Sequence, residues 1–78
     1  MDWHEYIHTD PNISSGRPVV KGTRLAVEFL LGLYGAGWTE AQLLESYPHL
    51  TPEALQAVHA YAAESVREER MYVFTAAG

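Results

Sequence analysis

Apolar residues Val27, Leu30, Leu31 and Tyr34 fall at i, i+3, i+4 and i+7, the spacing of one helical stripe. Phe29 and Leu33 widen the stripe, so this first helix is expected to be buried around much of its circumference. Gly35 and Gly37 end it, since either can take the left-handed conformation of a C-terminal cap. A second helix begins at Thr39, where Thr39-Glu40-Ala41-Gln42 fits a capping box and Trp38 can pack on Leu43 as a hydrophobic staple. It runs to about Tyr47, and Pro48 stops it. A third helix repeats the device: Thr51 as N-cap, Pro52 at the first helical position, Glu53 at the positive end. Leu50 and Leu55 form its staple. Leu55, Val58, Ala62 and Val66 mark its buried stripe, which leaves Gln56, His59 and Ala60 facing outward. Fraying is expected over the charged run Glu64 to Arg70.

The N-terminal third reads differently. Trp3, Glu5 and Ile7 alternate with His4, Tyr6 and His8, and the aromatic and β-branched content predicts a short strand. Asp10-Pro11-Asn12 predicts a turn. Ser14 to Gly16 is loop, Pro18-Val19-Val20 a second extended segment, and Lys21-Gly22-Thr23 closes it. At the other end, Met71 to Thr75 is apolar, aromatic and strand-forming. The fold expected is mostly α: a three-helix, helix-turn-helix-like core of the homeodomain or winged-helix kind, with a short extended N-terminal arm and a short C-terminal strand. The segments are 1–24 for the arm, 25–70 for the helical core and 71–78 for the tail, in a single domain.

Size sharpens this picture. A chain of 78 residues buries little apolar surface by itself, and small domains usually add a disulfide, a metal or a partner. There is no cysteine, so a homodimer or higher oligomer, or a partner protein, is the expected supplement. No apolar run approaches the roughly 18 residues of a membrane span. The N-terminus also lacks the basic-then-apolar order of a signal peptide. A cytoplasmic protein without membrane partners is expected.

Charge divides the chain. The net charge is −5, and no Lys or Arg occurs between Leu25 and Val66. Three of the five basic residues lie in Gly16 to Arg24, GRPVVKGTR, which contains no acid. Phosphate binding draws on Lys and Arg, so any nucleic-acid or anion surface must use Arg17, Lys21 and Arg24. Thr51, Gln56 and His59 on the outward face of the third helix would join them, since Gln can read adenine and Thr can contact base or phosphate. An alternative use for Arg24 is to tie the loop to a glutamate or to helix carbonyls. For the third helix, the alternative is a solvated face or a protein interface. Trp3, Tyr6, Tyr72, Val73 and Phe74 are candidates for a partner or dimer interface, since so small a domain has few places to bury them.

Catalytic chemistry is not indicated, and no enzyme activity is expected. Asp10, Glu40 and Glu45 lie on separate elements with no histidine pairing pattern. His4 and His8 share a face without a third ligand, so no metal site is assigned. His49 follows Pro48 in a turn and is expected to bond locally. Ser14-Ser15-Gly16-Arg17 lacks the Gly-Lys-Ser/Thr ending of a phosphate-binding loop. No cofactor is implied.

The stretch from about Ile13 to Tyr61 resembles the bacterial family known as domain of unknown function 433. The resemblance is carried by Gly16, Pro18, Val19, Gly22, Thr23 and Arg24, then Gly35 to Trp38, then Tyr47-Pro48-His49-Leu50-Thr51. It implies a small helix-turn-helix-like domain. It also implies an antitoxin role for many members, which are encoded beside a PIN-like ribonuclease toxin. A protein of that kind would bind and silence a toxin nuclease and could repress its own operon by binding operator DNA. The alternative is a protein-interaction or dimerisation module without DNA binding. The chain departs from the family at Ala26, where many members have proline, and in the short segment after the third helix.

Overall fold

The computed structural model describes the backbone of residues 1–77 and the side chains of residues 1–68. Three helices follow a small antiparallel hairpin, in the order β1 (Ile7–His8), β2 (Val19–Val20), α1 (Val27–Gly35), α2 (Glu40–Ser46) and α3 (Pro52–Ala77). Ile7 pairs with Val20 and His8 with Val19. One core collects side chains from every element: Ile7, Val20, Val27, Leu30, Leu43, Leu50, Leu55 and Val58 are all buried. The mostly helical architecture with a helix-turn-helix-like core is the one expected.

The local signals place the helix ends. α1 stops in a Schellman arrangement: the Gly37 N–H donates to the Tyr34 carbonyl (3.0 Å) and the Trp38 N–H to the Leu33 carbonyl (3.0 Å). That geometry requires the left-handed backbone of Gly37, at φ 98°. The capping box forms, with the Gln42 N–H donating to Thr39 Oγ1 (3.2 Å) and the Thr39 N–H to Gln42 Oε1 (2.8 Å). Thr51 accepts the Ala54 N–H at 3.1 Å and caps α3. The staple residues Leu50 and Leu55 are both buried.

Four expectations are corrected. Trp3 to Glu5 is a turn of 3-10 helix, and the strand is confined to Ile7–His8. The Asp2 carboxylate takes the His4 N–H (3.0 Å) and lies 2.7 Å from the His4 Nδ1. This local bonding competes with an extended backbone, and the His4 side-chain hydrogen bond holds Asp2 below the usual carboxylate range. Second, the tail expected as a strand continues α3. No glycine or proline lies between Glu53 and Ala77, and Glu and Arg are good helix formers, so nothing in residues 64–70 breaks the helix. Third, Phe29 is 44% exposed, so α1 is buried on one side only. Fourth, Val66 is 52% exposed, because among the described residues the part of α3 buried in the core runs from Ala54 to Val58.

Nor does the N-terminal arm stand away from the core. Trp3 donates its indole N–H to Glu64 and sets its ring edge-on to Tyr61 at 4.9 Å. The 3-10 turn thus lies along α3.

The junction between β2 and α1 carries a stability prediction. Ala26 is the N-cap of α1, at φ −70° and ψ 142°, with no side-chain cap bond. It bridges Val19 through bonds made by its neighbours, Val20 N–H to the Leu25 carbonyl and Val27 N–H to the Pro18 carbonyl. Its own N–H takes no part in them. Proline fixes φ near −65° and has no N–H, so Ala26→Pro suits the position. It should stabilise by about 0.4–1 kcal/mol through the unfolded chain. A urea midpoint that falls instead would mean that Leu25 cannot adopt the backbone a following proline imposes.

Candidate functional site

Two surfaces gather polar groups. The first is the outward face of α2 and α3, the helix-turn-helix face. The two helices are joined by Tyr47 to Thr51, with the Leu50 N–H bonded to the Tyr47 carbonyl at 2.9 Å. Where the two helices start, Glu40, Pro52, Glu53, Gln56 and His59 line a groove of about 370 Å3. Tyr34 packs its ring on His59, with centroids 4.5 Å apart. Its hydroxyl is buried and has no hydrogen-bond partner among the described residues. Burial, and secondarily the negative charge of Glu40, push the Tyr34 pKa up. The groove therefore has an acidic rim, and its helices supply no lysine or arginine before Arg67.

Of the residues assigned to DNA or anion binding, Gln56 and His59 are exposed on this face. Thr51 stands at its edge, with its hydroxyl engaged in the cap. The basic residues are elsewhere. Arg17 pairs with Glu28 on the surface, so the tie to a glutamate considered for Arg24 is made by Arg17 instead. Surface pairs of this kind add little stability. Among the described residues, Lys21 and Arg24 make no ion pair. Arg24 thus lines a different surface from Gln56 and His59.

The second surface is a cleft of about 620 Å3 between the loop that follows β2 and the turn between α2 and α3. Arg24 lines it from the loop, His8 from β1, and Tyr47, Pro48 and His49 from the turn. The loop wall is held by two hydrogen bonds of Thr23. Thr23 Oγ1 donates to the Val20 carbonyl (2.8 Å) and accepts the Leu25 N–H (3.0 Å), which fixes the loop on either side of Arg24. Gly22 supplies the tight turn before it, at φ 81°. Sequence reasoning did not join these residues. The one signal was that Gly22-Thr23-Arg24 and Tyr47-Pro48-His49 are both among the runs that carry the family resemblance.

Of the residues assigned to an interface, Trp3 and Tyr6 are partly buried against this chain's own core. The side chains of Tyr72, Val73 and Phe74 lie outside the described residues. Asp10 accepts the Asn12 N–H at 2.9 Å, as the predicted turn requires. Among the described residues no cluster of three metal-ligating side chains occurs. No helix among the described residues is long and apolar enough to cross a membrane.

Residues 7–62 match the model of a family described as a protein of unknown function, DUF433. The chain is 33% identical over 70 residues to an uncharacterized protein, y4eO, of Sinorhizobium fredii. That match takes in 90% of this chain and 32% of the relative. A DUF433 member from Anabaena variabilis, known from a crystal structure, superposes with a TM-score of 0.74 at 29% identity. It covers 80% of this chain and 61% of its own. The chain thus spans about a third of the one protein and three-fifths of the other.

Proposed function

This chain belongs to the DUF433 family, and we propose that it is an antitoxin-like protein-interaction module that docks a basic partner protein. The observation that carries this reading is the charge of the helix-turn-helix face. Glu40 and Glu53 rim its groove, and no Lys or Arg occurs from Leu25 to Val66. A DNA-reading face needs the opposite sign, because phosphate neutralisation supplies most non-specific affinity. A nuclease must carry a basic surface for its substrate, so an acidic face of this kind complements it and steers encounter. The partner by family analogy is a PIN-like toxin nuclease, in the cytoplasm. The module itself is non-enzymatic, and self-association supplements its small core.

Operator binding is the second reading. Its support is the α2–turn–α3 arrangement, together with Lys21 and Arg24, which make no ion pair among the described residues. The two readings separate in one pair of measurements. Co-expression with the neighbouring gene product should yield a complex that dissociates as salt rises. Fluorescence anisotropy with DNA from upstream of its own gene should show no preference over scrambled DNA. A preference for its own DNA that weakens steeply with salt, with no complex, would overturn the interaction module and favour a repressor.

A further inference from the structure

The cleft between the β2–α1 loop and the α2–α3 turn is separate from the helix-turn-helix face, and its chemistry is opposite. The chain carries ten carboxylates against five Lys and Arg, yet among the described residues no carboxylate lines this cleft. Arg24, His8 and His49 do, each from a different element. The remaining wall is built largely from Ile13, Leu25, Tyr47 and Pro48, which offer an apolar surface with one aromatic ring. A volume of about 620 Å3 lies inside the ordinary range of small-molecule sites.

The geometry points to a binding site for a phosphate monoester that carries a planar aromatic ring, such as a nucleoside monophosphate. Three donor side chains that line one cleft from three elements suit a head group with several acceptor oxygens and two charges. A lone carboxylate would use only part of them. Arg24 supplies the forked guanidinium that bonds phosphate oxygens in pairs. The imidazoles of His8 and His49 add donors from the other walls. Tyr47 and Pro48 then face the base, since aromatic rings stack on any nucleobase. The bonds that Thr23 makes on both sides of Arg24 hold the loop before ligand arrives, which lowers the ordering cost of binding. A free nucleotide and the phosphorylated end of an oligonucleotide share this chemistry.

The test is an NMR titration of the full chain with adenosine monophosphate, adenosine and inorganic phosphate, each taken to millimolar concentration. The monophosphate should shift the resonances of His8, Arg24, Tyr47 and His49 saturably, and bind more tightly than either fragment. Arg24→Gln should weaken it about tenfold or more, the worth of a charged hydrogen bond. His49→Gln should weaken it too, while Arg67→Gln, an exposed position on α3 outside the cleft lining, leaves it unchanged. Arg24 and His49 are exposed, so both variants should fold, and amide spectra of the free proteins check this. A 5′-phosphorylated dinucleotide distinguishes the sources. Tighter binding than the monophosphate assigns the site to a nucleic-acid end, and equal or weaker binding assigns it to a free nucleotide. No saturable shift with any phosphate ligand, or equal affinity in Arg24→Gln, would overturn the proposal.

Discussion

Leu43→Ala is expected to unfold a large fraction of this protein under mild denaturant. Leu43 is fully buried and is the sole buried residue of α2. Truncating such a leucine removes about 2–5 kcal/mol, because the cavity left behind closes only in part. A 78-residue domain holds about 4–12 kcal/mol in all, so roughly a sixth of the stability or more depends on one side chain. α2 has seven residues, too few to persist without its packing. Its loss takes away one wall of both the acidic groove and the cleft. Urea unfolding followed by circular dichroism measures the effect. Leu44→Ala, at the neighbouring half-buried position, should cost clearly less. A midpoint shift no larger than that of Leu44→Ala would mean that α2 is held chiefly by its capping box.

The reason the helices were legible is that their signals are local. Thr39 with Gln42, Thr51 with Ala54, and Gly37 with Tyr34 each act within three residues, and such spacings can be read directly. The extent of burial was less so. A stripe of period 3.6 says which face turns inward, but not how far the neighbours reach around it or along it. Phe29 and Val66 were therefore placed too deep. The 3-10 turn at Trp3 escaped notice because part of its cause is remote: the indole meets Glu64, 61 positions away in sequence. In the sequence Tyr47 and Pro48 mark a helix end and a helix stop. Their second role, as a wall opposite Arg24, exists only once the hairpin and the α2–α3 turn are brought side by side.

The same separation makes the partner surface testable by charge. Glu40 and Glu53 are both exposed and lie in the first turns of α2 and α3. Reversing both, Glu40→Lys with Glu53→Lys, should weaken the partner complex by about a hundredfold or more. Interfacial charge pairs at close range couple by about 1.5 kcal/mol upward each. Part of the loss should appear as slower association at low salt, the sign of lost steering. Each lysine also opposes the positive N-terminal end of its helix, at a cost of about 0.3–1 kcal/mol. The free variant must therefore be shown to fold, and Glu40→Gln with Glu53→Gln, which removes charge without reversing it, should fall between it and the natural chain. Unchanged affinity in a folded double-lysine variant would move the docking surface off this face. The reversal should also raise non-specific DNA affinity, since it supplies the basic residues that the face lacks. A gain in DNA binding alongside the loss of the partner would tie both effects to the charge of the groove. A loss of sequence-preferring DNA binding in the same variant would show instead that the face reads bases, and would return the repressor reading to first place.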